Sequence, residues 1–223
     1  MTIFYSLAII FLAGLIQASF QLSVSTLTIL SSHTIGTKKS HKKLLKLTSS
    51  FMTGAIVMTL LLIADAVLVL ISIYKGAPPQ IIWTIACGLN IGVAMSVWLF
   101  YFQPGNEGTS LWIPRSMADY LSSRTKSTKS NAEAFSLGLV SVFAELVFII
   151  APIVMSALII STLSTRWQFL GIVIYSIAAT SSLAVIWFLI CGGHKISHIQ
   201  KWREKNKRFL QFSAGAGFIV CAF

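Results

Sequence analysis

Acidic side chains are scarce in this chain: Asp and Glu number 6 among 223 residues, against 17 Lys and Arg. Charged residues of both signs make up 10%, where a soluble domain carries about a quarter. Paired cysteines are lacking too. Cys87, Cys191 and Cys221 lie far apart, in or at the edge of apolar runs, and form no C-x-x-C motif. That argues against a disulfide framework or a thiol–disulfide relay; the three read as small hydrophobes. There is no nucleophile–base–acid set, no phosphate-cradling glycine loop and no acidic pair on one helix. The chain therefore reads neither as an enzyme nor as a cofactor carrier. Its start, MTIFYSLAII, has no basic n-region and no small-x-small cleavage site, and reads as a retained span.

What is present is apolar. Hydrophobic residues make up 56% of the chain. Several uncharged runs reach about twenty residues, enough to cross a hydrocarbon core of ~30 Å as helices. The expected fold is all-α: a polytopic membrane helical bundle forming a single domain over 1–223. A barrel would need alternating segments of about ten residues throughout. Only GLIQASFQLSVS (14–25) looks like that, and a lone strand there would leave its backbone unsatisfied in lipid. On a helix its polar residues split into two faces, Gly14, Gln17, Gln21 and Thr28 on one and Ser19, Ser23 and Thr26 on the other.

Six spans are expected, over 3–31, 48–74, 81–102, 132–161, 168–191 and 209–223. The net charge of +11 comes mostly from three loops. Lys38, Lys39, Lys42, Lys43 and Lys46 fill the first; Arg115, Arg124, Lys126 and Lys129 the third; Lys195, Lys201, Arg203, Lys205, Lys207 and Arg208 the fifth. The second and fourth hold only Lys75 and Arg166. This alternation places the basic loops in the cytoplasm and both termini outside a bacterial-type inner membrane. It also accounts for the charge without nucleic acid. Segments around Trp112–Tyr120 and Ile196–Trp202 read as basic surface helices meeting anionic lipid headgroups.

Three spans per half would make any internal repeat inverted, as in many transporters. The halves are 1–102 and 132–223, joined by a cytoplasmic loop over 103–131. At an offset of 124, Phe11, Gly14, Leu15 and Leu22 meet Phe135, Gly138, Leu139 and Leu146, while Gln17 and Gln21 meet Ser141 and Glu145. At 117, Gly54 meets Gly171 and Asp65 meets Ser182; at 125, Gly92 meets Gly217. A glycine and polar residues early in spans one and four, a basic first loop, and KRFLQFSAGAGF leading into the last span resemble the lysine-exporter (LysE-type) superfamily. The resemblance covers the layout of the whole chain. It implies a small six-span transporter.

Only Asp65 and Glu145 are carboxylates well inside spans. A carboxylate at mid-bilayer costs roughly 2.5–3.5 kcal/mol on insertion scales, so such groups face the bundle interior or a water-filled path. Glu145 shares a helical face with Gly138 and Ser141, and Pro152 follows it. Proline inside a helix leaves a carbonyl without its donor. Gln17, Gln21, Asn90 and Tyr175 add hydrogen-bonding groups at depth, and Gly88 and Gly92 around Asn90 form a G-x-x-x-G. That motif suits close helix contact, within the chain or between copies of a homo-oligomer. Cys191, His194 and His198 have metal-ligand spacing, but Lys195 intervenes and no carboxylate is near, so no metal site is assigned.

Two functions fit. One is a secondary transporter of a small solute or ion, with Gln17, Gln21, Ser141 and Glu145 lining a cavity between spans one and four and Glu145 exchanging a proton or cation. The other is a non-transporting membrane scaffold or regulatory subunit, in which the same polar groups fasten helices together.

Overall fold

The computed structural model describes residues 2–19, 26–27, 30, 38–74, 78–100, 123–125, 128, 130–192 and 206–222. Gln21, the surface-helix segment 110–122 and the histidines His33, His194 and His198 lie outside them. The described fold is all-helical. Its helices are α1 (Ile3–Ser19), α2 (Lys38–Ile73), α3 (Gln80–Phe100), α4 (Asn131–Ala144), α5 (Leu146–Ser161), α6 (Thr165–Ala179), α7 (Ser181–Cys191) and α8 (Lys207–Ala222).

Two helices are long and apolar enough to cross a membrane, within Lys42–Ile73 and Gln80–Leu99. Two further crossings arise if each bent pair is one span: α4 with α5 at 83°, and α6 with α7 at 52°. Ile3–Ser19 and Phe212–Cys221 are shorter apolar helices. The fourth and fifth expected spans are thus each two helices, not one. At 36 residues, α2 measures about 54 Å, longer than the ~30 Å hydrocarbon core. Its first ten residues continue the helix below the expected span: Leu44 and Leu47 are buried, and Lys42, Lys43 and Lys46 are exposed.

Local chemistry explains the ends. Ser130 accepts the Glu133 N–H at 3.2 Å, and the Glu133 carboxylate accepts the Ser130 N–H at 3.3 Å, a capping box that starts α4. Glu133 is therefore a capping group at the water-exposed edge. At the end of α5, Gln168 Nε2 donates to the Leu163 carbonyl at 2.9 Å.

The core is built around α5. Ile149, Ala151, Ile153 and Met155 through Ile160 are all buried, and Ile150 alone of its large described side chains is exposed. Around it stand α1, α2, α3, α6 and α8. The outer surface is greasy, with Phe4, Phe169, Phe188 and Ile81 exposed, a surface that suits a bilayer better than water.

Glycines set the closest approaches. A Cβ on Gly54 of α2 would strike the Phe135 carbonyl of α4, and one on Gly138 of α4 would strike the Phe51 carbonyl of α2. The two backbones touch reciprocally. Gly14 of α1 does the same for α6: a Cβ there would lie 2.8 Å from the Tyr175 carbonyl oxygen and 2.7 Å from Ala178 Cβ. Gly215 of α8 lies under the Trp98 indole of α3, which stacks on Phe212 at 6.0 Å. By contrast, nothing lies within 4 Å of a Cβ built on Gly88 or Gly92. The G-x-x-x-G face has no neighbour among the described residues.

Candidate functional site

Polar side chains meet where α1 passes the junction of α6 and α7. Gln17 and Tyr175 are both fully buried, and the Tyr175 hydroxyl donates to Gln17 Oε1 at 2.5 Å. Gly14, one turn before Gln17, makes this contact geometrically feasible, because any larger residue would hold α6 away. One residue on, Ser182 Oγ donates to the Ala18 carbonyl at 2.9 Å and ties the start of α7 to α1. The Gln17 Nε2 has no hydrogen-bond partner among the described residues. A buried donor left unmet costs about 1–3 kcal/mol.

The α6–α7 break is lined by hydroxyls that satisfy backbone carbonyls locally. Thr180 Oγ1 donates to the Ser176 carbonyl at 2.8 Å and Ser181 Oγ to the Ala178 carbonyl at 2.7 Å. The α4–α5 break is different. It falls on Glu145, whose side chain is fully buried. The Glu145 N–H donates to the Val142 carbonyl at 3.1 Å, and its own carbonyl accepts from Phe148 and Ile149 at 2.9 and 3.2 Å. The hydrogen-bond ladder thus restarts at Glu145, and the chain turns there. Seven residues later Pro152 sits inside α5, withholding a donor from the Phe148 carbonyl.

Asn90 reaches the same helix from α3. Its fully buried amide donates to its own Ala86 carbonyl at 2.9 Å and to the Ala151 carbonyl of α5 at 3.4 Å. Asn90 Oδ1 and the buried Ser156 Oγ of α5 have no partner among the described residues.

Comparison with known proteins gives no match. No family model, curated protein or solved structure matches this chain. Function must therefore be read from this geometry.

The structure joins some of the expected residues and separates others. Gln17 and Tyr175, 158 positions apart, form one pair. Asn90 is joined to α5 through backbone. Ser141 is fully buried and bonds within its own helix, to the Gly138 carbonyl at 2.9 Å. Among the described residues α1 packs on α5 and not on α4, so Gln17 meets Tyr175 across α6 and not Ser141 across α4. Asp65 is exposed on α2. Thr180 and Ser156 were not singled out by sequence reasoning, and Ser182 entered it only as the repeat counterpart of Asp65. The hydroxyl-rich run SIAATSS (176–182) was a usable signal for Thr180 and Ser182; a lone serine among apolar residues is none for Ser156.

The electrostatics of the interior are one-sided. Every Lys, Arg and His of the chain lies outside the six expected spans. Glu145 is a fully buried carboxylate, and no Lys, Arg or His lies in the expected span that holds it.

Proposed function

We propose that this protein is a secondary transporter of a small solute or ion, with six spans, both termini outside the inner membrane, and a polar site at mid-depth. The 83° bend at a fully buried carboxylate carries this reading. Discontinuous helices meeting polar groups at mid-membrane are how transporters expose backbone groups to a substrate.

The packing supports an inverted repeat of three plus three spans. Let α1 exchange with α4–α5, α2 with α6–α7, and α3 with α8. The α1–α6 contact then becomes the α2–α4 contact, and α1–α8 becomes α3–α5, while α3–α8 and α1–α5 map onto themselves. The glycines follow: Gly14 against α6 corresponds, at the offset of 124, to Gly138 against α2. Six spans of this kind are what the lysine-exporter resemblance implies. In this reading Glu145 takes up a proton or cation as access alternates, and Gln17, Asn90 and Ser141, with Gln21, contribute hydrogen-bonding groups. Asp65 and Tyr175 play supporting parts.

A second reading has its own observation. The Tyr175–Gln17 and Ser182–Ala18 bonds are helix ties of the sort a non-transporting subunit would use. Proteoliposomes separate the two. With the pH dye pyranine trapped inside, addition of a solute panel is expected to produce proton movement. Glu145→Gln is expected to reduce it at least about tenfold. Undiminished, pH-indifferent flux by that variant sinks the role of Glu145. Absent flux, with tight co-purification of another chain, favours the subunit.

A further inference from the structure

We propose that Tyr175 is a positioning residue that holds the Gln17 amide so that its nitrogen meets the solute, and that the solute offers an accepting oxygen while carrying no net negative charge. This rests on the transport reading of the same site.

The hydrogen bond decides the roles. Tyr175 donates its one hydroxyl proton to Gln17 Oε1 and is fully buried. The amide oxygen is thereby held, and the amide plane with it. The nitrogen on the other arm carries two donors, and it has no partner among the described residues. The group left to recognise a ligand is therefore a donor, and its complement is a carbonyl, hydroxyl or ether oxygen. Ser182 holds the neighbouring Ala18 carbonyl, so α1 is fixed on both sides of the amide: Gly14 lies against α6, and Ala18 is tied to α7.

Charge narrows the class. An anion at this depth would find no Lys, Arg or His in any expected span, and Glu145 is buried in the same bundle. The start of α7 offers only the partial charge of a helix end, about half a unit. That does not offset a full negative charge removed from water. A neutral solute meets no such penalty.

Acetamide and acetate are near-isosteric and differ in charge, which makes them the probes. Equilibrium binding of radiolabelled acetamide to the purified full-length protein is expected to be saturable, displaced by unlabelled acetamide and not by equal acetate. Gln17→Glu keeps an acceptor for Tyr175 and removes the donor; it is expected to abolish binding. Gln17→Met, of similar length without donors, is expected to do the same. Tyr175→Phe is expected to weaken affinity about fivefold with the number of sites unchanged, the loss of one orienting hydrogen bond. A merely structural Tyr175 would instead reduce the number of sites and the melting temperature. Absent saturable binding, equal displacement by acetate, or full affinity in Gln17→Glu overturns the proposal. Flux that fails while acetamide binding persists overturns the transport reading and leaves this one standing.

Discussion

The helix pairs α4–α5 and α6–α7 are both bent, but they are bent for different reasons. Each is anchored before its break by backbone contact at a glycine: α4 to α2 through Gly54 and Gly138, α6 to α1 through Gly14. Beyond the anchor they diverge. At Thr180 the chain bends by 52° and its own hydroxyls serve the nearby carbonyls. At Glu145 it bends by 83° around a fully buried carboxylate, with Pro152 inside the helix that follows. The first break is locally satisfied and neutral. The second holds a fully buried ionisable group. A bend in a membrane helix is thus not by itself a site; the chemistry left over at the bend decides.

The anchors give the largest expected effect. Gly138→Leu would drive a side chain into the Phe51 carbonyl, and backbone cannot rotate away. It is expected to cost about 3 kcal/mol, the upper end of the overpacking range, read as lost folded yield and a lower melting temperature. Gly14→Leu meets a methyl as well as a carbonyl and is expected to cost about 2 kcal/mol. Equal, negligible losses would mean that the two spans are not held by their glycines.

The breaks themselves should separate next. Glu145→Gln is expected to reduce flux about tenfold without lowering the melting temperature, since it keeps the side chain's size and removes a buried ionisable group. Thr180→Val removes one hydrogen bond to the Ser176 carbonyl. It is expected to cost about 0.5–1 kcal/mol of stability and to leave flux within about twofold. The reverse pattern, with flux lost at Thr180 and kept at Glu145, would move the site to the fifth span.

The smallest effect belongs to a glycine without a neighbour. Gly88→Leu on α3 faces open space and is expected to change the melting free energy of the monomer by less than about 0.5 kcal/mol. A large loss in detergent would mean that another copy or another chain packs on that face.

Much of this was legible before any coordinates. The apolar runs announced helices. Gly14 and Gly138 stood out through their common offset, and both prove to be points of backbone contact. Asn90, Gln17 and Tyr175 were visible as polar groups at depth, and all three are fully buried. The breaks were not legible. Residues 132–161 and 168–191 each read as one span, because hydropathy registers polarity and not direction. Glu145 was expected near a helix break at Pro152, whereas the chain bends at the carboxylate itself. The G-x-x-x-G of α3 showed the converse: a motif suited to close contact whose glycines face no neighbour among the described residues.

Sequence alone determined the apolar runs and the charge balance. Its apolar runs hold no Lys, Arg or His, and that follows from composition and order. Only the tertiary structure decided which groups meet. Gln17 was expected to face Ser141 and Glu145, both distant in the chain, and spacing along one helix says nothing about the azimuth of another. The choice fell to Tyr175 because Gly14 lets α6 lie against α1 one turn away. A missing side chain thus placed the polar pair, through a contact too close for any other residue.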